Sequence, residues 1–279
     1  MAGTISTAKK LKLQTSFSTQ SPFSNFPYPT PFEALEVFNI LAAAHETSTA
    51  PMRRVPKDAA NPAETCGNVP NVLEALISTV LSQNTSGRNS CSAKAGLDAM
   101  FGRNNFASIA VAPVDRVVES IRCGGLANKK AVTIQKILQS VKGRYGEYSL
   151  QHLGAEVEGM RMTNDEIMRE LLSYDGVGPK TASCILLFCL DRDSFAVDTH
   201  VFRLSKLLGW VPKKANRILT QAHLEIRVPD ELKYGLHVLM IRHGRTCKGC
   251  RTASSGSCIL KEYCRGKISR SAVETTENP

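Results

Sequence analysis

Two residues have types and spacing suited to covalent chemistry. Lys180 and Asp198 lie in the stretch ELLSYDGVGPKTASCILLFCLDRDSFAVDTHVFR, Glu170 to Arg203. Lys180 directly follows Gly176-Val177-Gly178-Pro179 and opens a segment lined by Ala182, Ile185, Leu186 and Phe188. An apolar setting and the positive end of a helix both disfavour an ammonium, so this amine is expected to be a nucleophile. Asp198 stands before a new amphipathic run, where it can cap a helix and supply a carboxylate. Taken singly, Lys180 reads equally as a solvated phosphate contact and Asp198 as a plain N-cap. A second concentration of chemistry is Cys247, Cys250, Cys258 and Cys264, four of the nine cysteines. With no secretory signal an intracellular, reducing compartment is expected, and the four then read as metal ligands instead of disulfides.

The elements that must position these residues are helical. Only YDGVGP separates the runs on either side of it, which forces a tight hairpin. Gly176 and Gly178 allow positive φ and close backbone approach, and Pro179 suits a first helical position. The amides of Gly-Val-Gly, backed by the following helix N-terminus, suit an anion the size of a phosphate. Apolar stripes at helical spacing recur in 71–83, 131–141, 167–172, 182–190, 201–208 and 231–240, and another begins at Pro31. No period-2 strands and no repeats are found, so the fold class is all-α.

Residues 1–30 contain no Asp or Glu and are rich in Ser, Thr and Pro, so a disordered or targeting tail is expected. The expected organisation continues with an N-terminal helix and linker over 31–66, packed on the C-terminal lobe. A helical lobe with the hairpin covers 67–207, a C-terminal lobe with the cysteines 208–265, and a tail 266–279. No apolar run is long enough to span a membrane. The formal net charge is +10, and half of the excess falls after residue 240, with eight Lys/Arg against three Glu. That balance favours a polyanion, DNA or RNA, over a generic basic surface.

DGVGPKTA followed by FAVDTHVFR resembles the endonuclease III branch of the helix-hairpin-helix, Gly/Pro…Asp DNA glycosylase superfamily. VLSQNTS, IRCGGLANKKAVTIQKIL and LGWVP are similar to short plant DEMETER-like glycosylases. The resemblance covers roughly Asn71–Cys264. It implies two helical lobes with double-stranded DNA and the active site in the cleft between them. Lys180 would attack C1′ of the damaged nucleotide and form a Schiff base. Asp198 would stabilise the positive sugar and assist proton transfer. A lysine there implies a bifunctional glycosylase and AP lyase of base-excision repair; separately, a monomer is expected. The implied DNA contacts are Gly176, Val177, Gly178 and Thr181 of the hairpin, with Gln83 and Asn84 filling the gap left by an extruded base. Gly87 departs from the Asp that many relatives carry nearby.

Arg122, Lys129 and Lys130 are read as DNA backbone contacts or a solvated basic face, Trp210 as packing, and His200 as structural. Relatives often follow HGR with C-x6-C-x2-C-x5-C, the ligands of a [4Fe–4S] cluster. Here Ser255 stands where the second cysteine belongs, and Cys250 is the substitute. A [4Fe–4S] cluster, zinc and no metal therefore all remain open. The expected substrate is a damaged pyrimidine, with 5-methylcytosine the alternative. The rival readings are a non-catalytic DNA-binding hairpin protein and a cysteine-metal structural protein. The nucleus is the expected location, with mitochondrion or chloroplast as alternatives.

Overall fold

Apolar residues recur every three or four positions between polar stops, and the chain folds accordingly into helices. The computed structural model describes residues 6–46, 69–251 and 256–274, without the side chains of 268–274. Its helices are α1 Thr7–Phe17, α2 Pro31–Ala44, α3 Val72–Leu81, α4 Gly87–Phe101, α5 Phe106–Val111, α6 Val114–Ser120 and α7 Ala127–Tyr145. There follow α8 Asn164–Ser173, α9 Pro179–Cys184, α10 Thr199–Leu207, α11 Arg217–Arg227, α12 Asp230–Thr246 and α13 Ile259–Glu274. One departure from the all-α reading is a two-stranded antiparallel ribbon, β1 Glu156–Val157 with β2 Met160–Arg161. All four residues are exposed, so no alternation of buried and open positions marked it in the sequence.

Among the described residues, α1 and α3–α9 form one unit ending at Ser194, and α2 with α10–α13 form a second. The boundary expected at residue 207 therefore lies at Ser194–Phe195. The reason is burial: Phe195, Val197, Val201 and Leu204 all enter the second unit's apolar core. Asp198 and α10 go with them.

In the first unit α3 is buried on all sides except at Ser78, as a helix that is apolar all round must be. It shares one apolar core with Ile134, Leu138 and Val141 of α7 and with Ile167 and Leu171 of α8. Its one carboxylate, Glu74, accepts from Lys94 Nζ at 2.8 Å, Arg103 Nε at 3.0 Å and Asn104 Nδ2 at 3.1 Å. Burial pushes the Glu74 carboxyl up, but the hydrogen bonds from Arg103 and Lys94 outweigh it and bring the pKa to about 2.

The expected N-terminal tail is different in the structure. Residues 7–17 form α1, and Lys10 is buried with its Nζ 2.7 Å from Val177 O and 3.5 Å from Tyr174 O. Thr7 donates to Asp175 Oδ1 and Gln14 to Asp165 Oδ1. These specific bonds, more than its weak amphipathicity, hold α1 against the hairpin.

In the second unit Thr30 and Glu33 form a reciprocal capping box and Pro31 starts α2. Val37, Phe38 and Leu41 then share a core with Trp210, Leu236 and Met240. Trp210 is 1% exposed, a packing residue as its sequence context suggested.

Candidate functional site

The hairpin is built where α8 stops at Ser173. Val177 N–H donates to Tyr174 O at 3.2 Å, closing the turn. Gly176 has φ +81°, and a Cβ there would stand 2.5 Å from Thr133 Cγ2 of α7. Gly178 does not use that freedom: it has φ −110° as the N-cap of α9, with open space on its Cβ side. Pro179 occupies the first helical position, and Lys180, half-buried, the second.

The other expected DNA contacts divide. Val177 turns inward: its side chain is in the core and its carbonyl is held by Lys10. Thr181 is also buried, and its Oγ1 accepts from Gln83 Nε2 at 3.3 Å. Gln83 Nε2 reaches Gly176 O as well, at 3.2 Å, so it ties the end of α3 to the hairpin. Asn84 is exposed, in a left-handed conformation with φ +51°. The helix expected over 182–190 is regular only to Cys184. Ile185–Cys189 widens to a π turn, with Leu190 N–H bonding Ile185 O at 3.0 Å.

Asp198 caps α10 through Oδ1, which accepts from the amides of His200 and Val201, each at 2.8 Å. The segment leading into it is pinned from three sides within the second unit. Glu225 Oε2 accepts from Phe195 N at 2.7 Å, Gln221 Oε1 accepts from Val197 N at 3.3 Å, and His237 Nδ1 lies 2.7 Å from Ala196 O. Sequence reading missed these three supports, because nothing local marks a polar side chain that bonds a backbone some 24 to 41 positions away.

Of the three basic residues placed on a DNA-facing or solvated face, Arg122 and Lys129 are exposed. Lys130 is not. It is 3% exposed, and its Nζ lies 2.6 Å from Leu81 O and 2.9 Å from Gly124 O. The carbonyls left over at the end of α3 and in the turn between α6 and α7 draw the cation inward, and burial lowers its pKa. His200 packs beside Gly244, where a Cβ would come within 2.7 Å of it.

The cysteine group differs from the expected four thiolates. His243, Cys247, Cys250 and Cys258 bring one ligand atom each within 4.8 Å of one another. Cys264 is outside this group, its Sγ 3.5 Å from Leu207 O. Burial, then the neighbouring His45 and Arg203, lower the His243 pKa to about 4, so the ring is neutral near pH 7. Burial pushes the Cys250 thiol up. It pushes Cys247 up too, but hydrogen bonds from Cys250 and Cys258 bring Cys247 below the usual thiol range. The H-x3-C spacing of HGRTC was the available signal for His243. Ser255 lies outside the described residues.

Residues 77–230 match the family described as HhH-GPD superfamily base excision DNA repair protein. A candidate DNA glycosylase of Arabidopsis thaliana is 44% identical over 182 residues, 65% of this chain and 59% of the relative. The chain thus spans under two thirds of that relative's length. An endonuclease III of Buchnera aphidicola is 33% identical, over 70% of this chain and 82% of its own. Among solved structures, a trapped endonuclease III–DNA covalent intermediate superposes with a TM-score of 0.63. It is 23% identical and covers 86% of this chain and 98% of the other, which is a likeness of fold.

Proposed function

Since the chain belongs to the HhH-GPD superfamily of base excision DNA repair proteins, we propose that it is a bifunctional DNA glycosylase and AP lyase acting on a damaged pyrimidine in duplex DNA. One observation carries this reading: an amine, Lys180, stands half-buried at the second position of the helix that leaves the hairpin, ahead of four buried residues, Thr181 to Cys184. A glycosylase that only activates water has no use for an amine at that point.

In this reading the unprotonated Nζ of Lys180 attacks C1′, and the bond from C1′ to the base breaks. Its electron pair leaves with the base, which takes up a proton. The C1′–O4′ bond then breaks as the nitrogen lone pair forms a protonated Schiff base, and O4′ keeps the electron pair and takes up the proton that Asp198 received. Loss of a proton from C2′ then expels the 3′ phosphate by β-elimination, and water releases Lys180. Asp198 offsets the positive charge that grows on the sugar and receives the proton that Nζ gives up. The base must leave the stack for this to happen. Asn84 is the residue presented outward to fill its place, since the Gln83 amide is already bonded to the hairpin. Gly178 and the first turn of α9 receive a backbone phosphate. The cysteine group takes no part in these steps.

Borohydride trapping tests the proposal on duplexes carrying thymine glycol, 5-methylcytosine, uracil or an abasic site. A covalent adduct on thymine glycol and abasic DNA is expected, and Lys180→Gln should abolish it. An adduct on 5-methylcytosine instead would keep the mechanism and change the substrate. No adduct on any of the four would refute the lyase.

A further inference from the structure

We propose that His243, Cys247, Cys250 and Cys258 form a closed, structural zinc site, in place of the four-thiolate iron–sulfur cluster that the family resemblance implies. The inference does not depend on the glycosylase reading.

The size of the group is the first argument. All four ligand atoms lie within 4.8 Å of one another, and His243 Nε2 is 3.6 Å from Cys258 Sγ. Zinc bonds of about 2.3 Å to sulfur and about 2.0 Å to nitrogen put tetrahedral ligands roughly 3.5 to 3.8 Å apart. A cubane holds each thiolate on a different iron, so its ligands must stand wider than those of one ion. Three thiolates and an imidazole are also a common structural zinc set, and imidazole suits zinc well. The donor group does not fit the expected cluster, and it fits one zinc ion.

Local structure explains how the set forms. His243 and Cys247 are four residues apart at the end of α12, on one helix face. Cys247-Lys248-Gly249-Cys250 then turns back toward the segment bearing Cys258. A Cβ at Gly249 would stand 2.1 Å from Ser257 O and 2.7 Å from Gly256 O. Only glycine lets this knuckle come so close to the segment that carries the last ligand.

The surroundings orient the donors. His45 Nε2 lies 3.2 Å from His243 Nδ1. If His243 donates its Nδ1–H there, Nε2 is left with its lone pair toward Cys258, as the outer ring nitrogen of a metal-bound histidine requires. Arg203 places Nη1 3.6 Å from Cys250 Sγ and also bonds the Cys250 carbonyl. Three thiolates around a divalent ion leave one negative charge, which Arg203 balances. Cys264 bonds Leu207 O instead, which leaves it for a role outside the site.

The test uses the full chain, expressed with iron and zinc both supplied and purified without air. About one zinc per chain is expected, with negligible iron and sulfide and no brown colour. Cobalt(II) in place of zinc should give the intense visible bands of a tetrahedral thiolate site. Cys264→Ser should keep the zinc and leave the cobalt spectrum unchanged. His45→Ala, which removes the ring's outer partner and no ligand, should weaken zinc about 10- to 100-fold. His243→Asn should weaken it further and shift the cobalt bands. Iron with equal sulfide, a metal-free chain, or loss of metal in Cys264→Ser would each overturn the proposal. Should His243→Asn aggregate, the parent protein and Cys264→Ser still decide.

Discussion

Gly176 and Gly178 stand two residues apart in one turn, yet they are glycines for different reasons, and substitution should separate the two. In Gly176→Ala the new methyl would be 2.5 Å from Thr133 Cγ2 and 3.2 Å from Thr133 Oγ1, at a φ of +81°. The left-handed backbone costs a residue with a Cβ about 1–2 kcal/mol. Forcing a β-branched neighbour aside adds about 1–3 kcal/mol, since its χ1 has few alternatives. The sum is about 2–5 kcal/mol of lost stability. Thr133→Ser removes the nearest atom, so the double variant should regain the steric part, about 1–3 kcal/mol.

Gly178→Ala meets nothing within 4 Å at φ −110°, and weaker N-capping limits its cost to about 1 kcal/mol. Its methyl would instead stand where a phosphate is proposed to approach. A hydrogen bond to a charged group contributes about 1.5–3 kcal/mol, so affinity for duplex DNA should fall roughly 10- to 150-fold. Urea denaturation measures the first quantity. Fluorescence anisotropy with a labelled abasic-analogue duplex, at one fixed salt concentration, measures the second. The reasoning fails if Gly176→Ala is as stable as the parent, if Thr133→Ser rescues nothing, or if Gly178→Ala binds DNA unchanged.

Two further outcomes follow from named contacts. In Asp198→Asn the amide oxygen can still accept from His200 and Val201. Stability should hold within about 0.5 kcal/mol, because Asn and Asp cap equally well, while the rate of base removal falls about 100-fold or more. Single-turnover assays beside denaturation curves would expose a purely structural role as equal loss in both. Glu74 supplies a pH effect. Its folded pKa of about 2 lies below the ordinary carboxyl value, so its contribution is complete above the unfolded pKa and is lost as pH falls toward 2. The shift corresponds to about 3 kcal/mol, somewhat less because Arg103 is partly exposed. Glu74→Gln should therefore lose about 2–3 kcal/mol at neutral pH and show a shallower acid limb in denaturation between about pH 5 and pH 2. An unchanged acid limb would count against the network.

Much of the hairpin was legible without coordinates. Pro179 starting a helix, Asp198 capping the next and the stripe of α3 are interactions within a few residues of themselves, so type and spacing carry them. The same locality hid His243, since H-x3-C places two residues on one helix face without saying what lies opposite, and only the four cysteines were read as ligands.

What the tertiary structure decided were the long-range pairings. Lys10 turned a presumed tail into a brace because carbonyls of a turn more than 160 positions away accept its ammonium. Lys130 went inward, not toward solvent, because the end of α3 leaves a carbonyl to satisfy. Gln83 bonds the hairpin across 93 positions, and Asp198 sorts with the second unit because Phe195 and Val197 are buried there. The sequence by itself determined which residues carry reactive groups and which helices present them, since caps, glycine turns and apolar periodicity act locally. Which carbonyl a lysine meets, and whether His243 or Cys264 closes the cysteine group, depends on surfaces that exist only once distant segments have packed.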